Sequence, residues 1–301
     1  MKHIIMVNPV SGRKKGYANA LIVQKLLKKN GIEAEIFCSK YAGELKEVSR
    51  KKAKRAKTRF YSIGGDGTLN EIVSGIVNTN SEVVVLPCGT GNDFSRISND
   101  YRSLRKIILS SLKAESSKFD VIKLNNDRYC INVLNAGFDA LVAYNLKYFR
   151  GIPFLSGTAK YNMSIVYTLF TNRNYHLKIK TNEFEEKSKY TLVAISNGKY
   201  YGGGVVPSPE ANAEDGKLSI CKVTATNLIT KLILLPKYKN CEHLDLKPAY
   251  INNDIQTISI VSNKLFPLSI DGEVIFTNRV KGEIIPQAVN IVKIPKDNNK
   301  K

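Results

Sequence analysis

Short apolar runs broken by polar turns dominate the first third of the chain. Residues 3–7 (HIIMV) stop at Asn8-Pro9, which predicts a buried strand followed by a turn. Ala20, Val23 and Leu27 then recur at helical spacing, and Asn30-Gly31 suits a helix end. Residues 33–39 read as a second strand. Residues 43–57 read as a strongly basic helix with Leu45, Val48 and Ala56 turned inward. A third strand at 59–63 meets a glycine turn, after which Ile72, Val73, Ile76 and Val77 mark another helix. A fourth strand, 82–87, runs directly into a second glycine-rich turn at 88–94. Strands alternating with helices predict an α/β lobe with a mostly parallel sheet, whose ligands gather at the carboxyl ends of the strands. Three of those ends carry polar turns with glycine or proline: Asn8–Gly12, Gly64–Thr68 and Gly89–Asp93.

Beyond about residue 120 the pattern changes. Strand-like segments are separated by Asn, Gly, Asp and Pro, with one helical segment near 155–172. This predicts a mainly antiparallel β-sandwich or barrel-like domain. The expected organisation is an α/β domain over 1–120, a β-rich domain over 121–287 and a disordered tail at 296–301. The last strand, within 288–295, can rejoin the first domain.

Charge narrows the partners. Among 301 residues, 46 Lys+Arg against 26 Asp+Glu give a net +20, which favours a polyanionic partner such as a membrane surface or phosphates. Trp is absent and the aromatics form no cluster beside basic residues, so nucleic acid is not expected. Five scattered cysteines without CxxC spacing predict reduced thiols in the cytoplasm. The first apolar run is too short for a signal-peptide core, and no run reaches membrane-spanning length; membrane contact is expected to be peripheral.

The chain has no GxxxxGK[ST], and no GxGxxG follows its first strand. The GGDGT turn at 64–68 exposes backbone N–H groups and the positive end of a helix dipole, which suits a phosphate, although GGDG alone is equally a ligand-free turn. In order, NPVSGRKKG, GGDGTLNE and PCGTGNDFSR resemble the catalytic domain of the diacylglycerol kinase-like lipid kinases, a family that also contains sphingosine and ceramide kinases. The resemblance continues through FDVIKLN (119–125), NVLNAGFDALVA (132–143), YYGGGVVPSPEANAEDGKLSI (200–220) and SIDGEVI (269–275).

The resemblance implies an α/β lobe, a β-sandwich domain and an active site in the cleft between them. It implies ATP and Mg²⁺ as cofactors and a diacylglycerol-like lipid as acceptor, giving a phosphatidic acid. Nucleotide-site positions are Asn8, Ser11, Gly12, Gly64, Gly65, Asp66, Gly67, Thr68, Asn70, Glu71, Thr90, Asn92 and Asp93, with Asp66 facing Mg²⁺ or a nucleotide hydroxyl. Asp120 matches an aspartate near the metal. Asp215, with the carbonyls of Asn212 and Lys217, matches a second, structural metal loop; spacing alone makes Asp215-Gly216 a hairpin turn. Asp271 is favoured as the base that takes the acceptor's proton, with Glu273 close behind. On an extended strand both would face one side; if Asp271-Gly272 turns, only one does. The expected partner is a lipid at the anionic inner face of the cell membrane, with a homodimer as a candidate assembly. An NAD kinase and an inactive membrane-docking protein are the alternatives.

Overall fold

The computed structural model describes residues 1–11, 15–89, 91–98, 103–171, 173–239, 241–243 and 246–294. The tail expected at 296–301 lies outside them. The contacts divide the chain into two units, Met1–Val121 with Pro286–Lys301, and Ile122–Ile285.

The first unit runs β1 (Lys2–Val7), α1 (Gly16–Lys29), β2 (Glu35–Cys38), α2 (Glu44–Arg55), β3 (Thr58–Gly64), α3 (Asp66–Ile76) and β4 (Glu82–Pro87). The short α4 (Ser95–Ser98), α5 (Leu104–Ser111) and the first part of β5 (Ser116–Leu124) follow. β1 pairs parallel with β2 and β3, and β3 with β4, giving the order β2-β1-β3-β4. Strand order reverses between β1 and β3, the switch point where open α/β sheets bind ligands. In register, Val7 faces Ile63 and Gly64 faces Pro87, so three strand ends finish level.

Helix α1 buries Ala20, Val23 and Leu27 on Ile5, Val7, Tyr61 and Ile63. Helix α2 buries Leu45 and Ser49. It lies tight on α3, where a Cβ at Gly75 would come 1.9 Å from Ser49 Oγ. The amino ends of the strands hold a buried ion pair, Arg59 Nε to Glu82 Oε1 at 2.5 Å, with Arg59 Nη1 donating to the Ser111 carbonyl at 2.7 Å. Beside it, His3 Nδ1 lies 3.0 Å from the Tyr61 hydroxyl, whose pKa burial pushes up to about 12.

The second unit continues with β6 (Arg128–Cys130), β7 (Val133–Gly137), α6 (Phe138–Asn145), α7 (Gly157–Thr171), β8 (Tyr175–Thr181), β9 (Glu185–Ser196) and β10 (Leu218–Thr224). It ends with α8 (Leu228–Lys239), β11 (Ala249–Ile255), β12 (Thr257–Ile270) and most of β13 (Glu273–Val292). β9 pairs antiparallel with both β7 and β8, and so does β12, closing a circuit of four strands. β12 manages two partners because its register with β13 shifts between Val261 and Phe266. Leu134, Ile179, Val193, Ile195, Ile260 and Phe266 fill one core, and a second lies under α6–α8.

One expectation needs correction: besides α7, which is the segment expected near 155–172, this part of the chain holds two further helices, α6 and α8. The strand expected within 288–295 does rejoin the first unit: it is the end of β13, and it pairs parallel with β4 through Asn290↔Glu82 and Ile291↔Val83.

Asp139, at the start of α6, accepts a short hydrogen bond from the Tyr201 hydroxyl, which lies 3.4 Å from the Tyr238 hydroxyl. Burial pushes the Asp139 carboxyl from 3.8 up to about 6, partly offset by the hydrogen bonds from the tyrosines. Between those values the folded chain keeps a proton that the unfolded chain has lost, so burial costs stability as pH rises through that window. Asp139→Asn keeps an acceptor for Tyr201 and removes the cost. Its melting temperature is expected to gain on the parent as pH rises from about 4 to about 7. A difference that does not change with pH in thermal melts would contradict this.

Candidate active site

At the first strand end the chain folds back on itself. Asn8 Oδ1 accepts the Val10 N–H at 3.2 Å, and the Asn8 carbonyl accepts the Ser11 hydroxyl at 2.7 Å. Both side chains therefore shape this turn. Gly12, like Thr90, lies outside the described residues.

The second and third ends touch through bare backbone. A Cβ on Gly89 would sit 2.4 Å from Gly65 Cα, and Cys88 N–H donates to the Gly64 carbonyl at 3.0 Å. Gly65 is the N-cap of α3, and its carbonyl accepts the Leu69 N–H at 3.1 Å. The first-turn N–H groups of this helix, with its dipole, form a site suited to an anion. Gly67 lies exposed on that turn, and a Cβ there would meet nothing within 4 Å. Its lack of a side chain answers no demand of the fold.

Two carboxylates converge beside Gly91, where a Cβ would lie 3.0 Å from Asp66 Oδ2 and 3.3 Å from Asp93 Oδ2. Asp66 Oδ1 is fixed by the Phe94 N–H at 3.1 Å, and Asp93 Oδ1 lies 3.6 Å from Arg96 Nε. Two carboxylates with open backbone around them fit Mg²⁺, which takes one or two from protein and fills its shell with phosphate oxygens and water.

Several other residues expected at the site also have structural work. Thr68 is buried, and its hydroxyl occupies the space a Cβ on Gly64 would need, at 2.1 Å. Glu71 Oε2 accepts the Leu45 N–H at 3.2 Å, capping the first turn of α2. Asn92, at φ 52°, both accepts from the Gly89 N–H and donates to its carbonyl at 2.8 Å, so its amide closes the loop. Asn70 Oδ1 lies 3.4 Å from Ser74 Oγ on the same helix. Asp120 is buried, and its Oδ1 accepts the Gln287 N–H at 2.7 Å.

In the second unit, Asp271 and Gly272 form the two-residue turn of the β12–β13 hairpin, with φ 47° and 93° and Ile270 paired to Glu273. Both positive φ values match the turn type in which Asp-Gly is favoured. The Asp271 carboxylate points into the loop before β7. Oδ2 accepts the Ile131 N–H at 2.8 Å, and Oδ1 accepts those of Asn132 at 2.9 Å and Val133 at 3.2 Å. The Cys130 thiol, its pKa raised by burial and the neighbouring carboxylate, stays protonated and donates to Oδ1 at 3.1 Å. Four donors stabilise the carboxylate's charge and hold its position, which favours Glu273 over the expected Asp271 as the group that takes the proton. Glu273 stands largely exposed at the start of β13, its Oε1 3.9 Å from Arg128 Nη2. No sequence signal marks the three amides, because backbone donors carry no residue signature.

The loop at 212–217 is a pair of tight turns. Asn212 Oδ1 accepts the Glu214 N–H at 3.2 Å, Asp215 Oδ1 accepts the Lys217 N–H at 3.0 Å, and Lys217 Nζ lies 2.5 Å from Asp254. Among the described residues no group of three or more His, Cys, Asp and Glu side chains could hold a metal. An ion here would rest on one carboxylate and backbone carbonyls, an all-oxygen set that fits a hard cation.

An apolar recess, missed in the sequence, opens under α6–α8. Phe138, Leu169, Leu192, Val223 and Leu234 line it, with Asp139, Lys231 and His243 among its polar members. Burial lowers the pKa of both Lys231 and His243.

Comparison with known proteins fits these units. Residues 2–124 match the diacylglycerol kinase catalytic domain, and residues 132–293 the YegS C-terminal NAD kinase beta sandwich-like domain. Proteins of Staphylococcus aureus strains MSSA476 and MW2, provisionally named lipid kinases, are each 24% identical over 250 residues, 82% of this chain and 81% of theirs. Two crystal structures of provisionally identified diacylglycerol kinases from Bacillus anthracis strain Sterne superpose with TM-scores of 0.77 and 0.74. They are 21% and 22% identical, and each alignment covers 98% of this chain and 97% of the other.

Gly67 separates ligand from fold. Gly67→Ala is expected to leave the melting temperature unchanged or raised, since alanine is the better helix former by about 1 kcal/mol. ATP affinity is expected to fall about tenfold, equivalent to about 1.4 kcal/mol. Equal affinities by calorimetry would take the exposed turn of α3 out of the nucleotide site.

Proposed function

Because the chain belongs to the diacylglycerol kinase-like family of bacterial lipid kinases, we propose that it transfers the γ-phosphoryl group of ATP to the hydroxyl of a diacylglycerol-like lipid, giving a phosphatidic acid. A kinase domain implies ATP use. The observation that carries the reading is the level row of strand ends at the sheet's switch point, where Gly65, Gly67, Asp66 and Asp93 surround open backbone. The α3 amides would hold phosphate oxygens, and Asp66 and Asp93 would hold Mg²⁺. The ion supplies positive charge against the triphosphate.

The acceptor oxygen bonds to the γ-phosphorus as the bond to the β–γ bridging oxygen breaks and ADP leaves. The hydroxyl proton goes to a carboxylate, and Glu273 is the one we assign, because its oxygens stand exposed. Asp271 positions it by pinning the hairpin turn to residues 131–133. The excess of cations and the lack, among the described residues, of a helix long and apolar enough to cross a membrane support work at the surface of the cytoplasmic leaflet.

A second reading, NAD kinase, has one observation in its favour, the name of the β-rich domain matched over residues 132–293. Radiolabelled ATP offered with mixed lipid micelles and with NAD separates the two. Label in chloroform-soluble product supports the lipid reading, label in NADP the second, and label in neither an inactive docking protein.

The carboxylates are expected to part in a paired measurement. Glu273→Gln should lower turnover by about 10²- to 10⁴-fold with thermal stability unchanged. Asp271→Asn sets an NH₂ group against backbone N–H donors, so it should lose stability, by about 1–3 kcal/mol, as well as turnover. A stable, inactive Asp271→Asn beside an active Glu273→Gln would return the base to Asp271.

A further inference from the structure

Helices α7 and α8 wear their polarity inside out. On α7, Met163, Val166, Tyr167 and Phe170 lie three and four residues apart and all face solvent, Phe170 with 71% of its surface exposed. The opposite face buries Ser164 and Thr168, which hydrogen-bond the Val142 carbonyl and Asn145 of α6. On α8, Ile229, Leu232 and Ile233 face out, Ile229 with 70% exposed, while Lys231 is buried beside Leu234. The two helices pack together, each with its apolar stripe outward. At positive φ, Phe154 stands fully exposed in the loop before α7, and Tyr148 and Phe149 meet Tyr167 in tilted and edge-on ring contacts. An apolar patch of this extent marks an interaction surface.

Its charge chooses the partner. Between Asp139 and Glu183 the chain has no acidic residue, and none between Asp215 and Glu242. These stretches carry Lys147, Arg150, Lys160, Arg173, Lys237 and Lys239. Aromatic and aliphatic side chains in stretches rich in cations and free of acids suit the boundary of an anionic bilayer, where apolar groups enter the acyl region and cations meet headgroup phosphates. Helix α2, the most basic by sequence, is a poorer fit. It carries Glu44 and Glu47, and none of its described residues is an exposed large apolar one.

Resting on the lipid-kinase reading above, we propose that the α7–α8 face, with the Phe154 loop, docks the protein on anionic membrane by inserting Phe154, Phe170 and Ile229.

The chain contains no tryptophan, so single substitutions give clean reporters. Phe154→Trp, Phe170→Trp and Ile229→Trp, each in the full chain, are mixed with phosphatidylcholine vesicles with or without phosphatidylglycerol and with acyl-brominated lipid. Leu265→Trp, exposed elsewhere in the same unit, is the control. The three face reporters should shift blue and be quenched by the brominated lipid, only with phosphatidylglycerol and less so in high salt, while the control stays unquenched. The combined Phe154→Ser, Phe170→Ser and Ile229→Ser variant should lose at least about tenfold in vesicle partitioning.

Vesicle binding without quenching at these positions overturns the proposal, as does no binding. So does sedimentation velocity showing that the serine variant turns a dimer into monomers with vesicle binding unchanged, which would make the face a contact between copies. Quenching without label in any lipid keeps the docking face and removes the kinase acceptor; lipid label without quenching does the reverse.

Discussion

The meeting of Gly65 and Gly89 sets the terms for the first unit. Their main chains come so close that a side chain on Gly89 would break the contact, beside which the register of β3 with β4 brings their ends level. That contact places the first turn of α3 next to the Gly91 loop, and it aims Asp66 and Asp93 at one point. The sheet spends its opposite end differently. There the Arg59–Glu82 pair and the His3–Tyr61 contact close the amino ends with satisfied polar groups. One end is built to hold itself, the other to hold something else.

The hairpin at Asp271 shows how a carboxylate in a functional motif can serve architecture. Three amides and a thiol converge on it, so its charge is tied to the loop before β7. Removing such an acceptor strands several donors at once, which costs more than the loss of any one bond. Glu273, two residues on, has only a distant arginine and keeps its oxygens for other partners. Within a motif of three residues, one side chain fixes the turn while another stands exposed.

Much of the first unit was legible because its residues obey one period at a time. Ala20, Val23 and Leu27 are the buried face of α1, and the three glycine- or proline-bearing turns lie at strand ends as expected. The second unit was read less well. Helix α8 turns Ile229 and Ile233 outward and Lys231 inward and contains Pro236, so its pattern opposes the rule for finding a helix. The strands β12 and β13 are longer than the alternating segments that suggested them, because a register shift lets one strand serve two neighbours. At the site, side chains expected to touch ligand, Thr68, Glu71 and Asn92, serve packing, capping and loop closure. Those partners are distant in the chain or are backbone, and neither leaves a mark on the sequence.

The parallel pairing of β13 with β4 has a consequence for how the chain is made. Glu82 and Val83 find their partners in Asn290 and Ile291, close to the last of the described residues. As the chain leaves the ribosome, the sheet of the first unit therefore has an open edge at β4 until Asn290 and Ile291 have been synthesised. An unpaired edge of apolar residues (Val83, Val84, Val85) is a template for wrong pairing. Contacts of such sequence separation also form slowly, because a long loop must close before they return any energy. The interval between the appearance of β4 and the arrival of its partner is the one in which this chain is most exposed to aggregation, and a chaperone that shields that edge would act there.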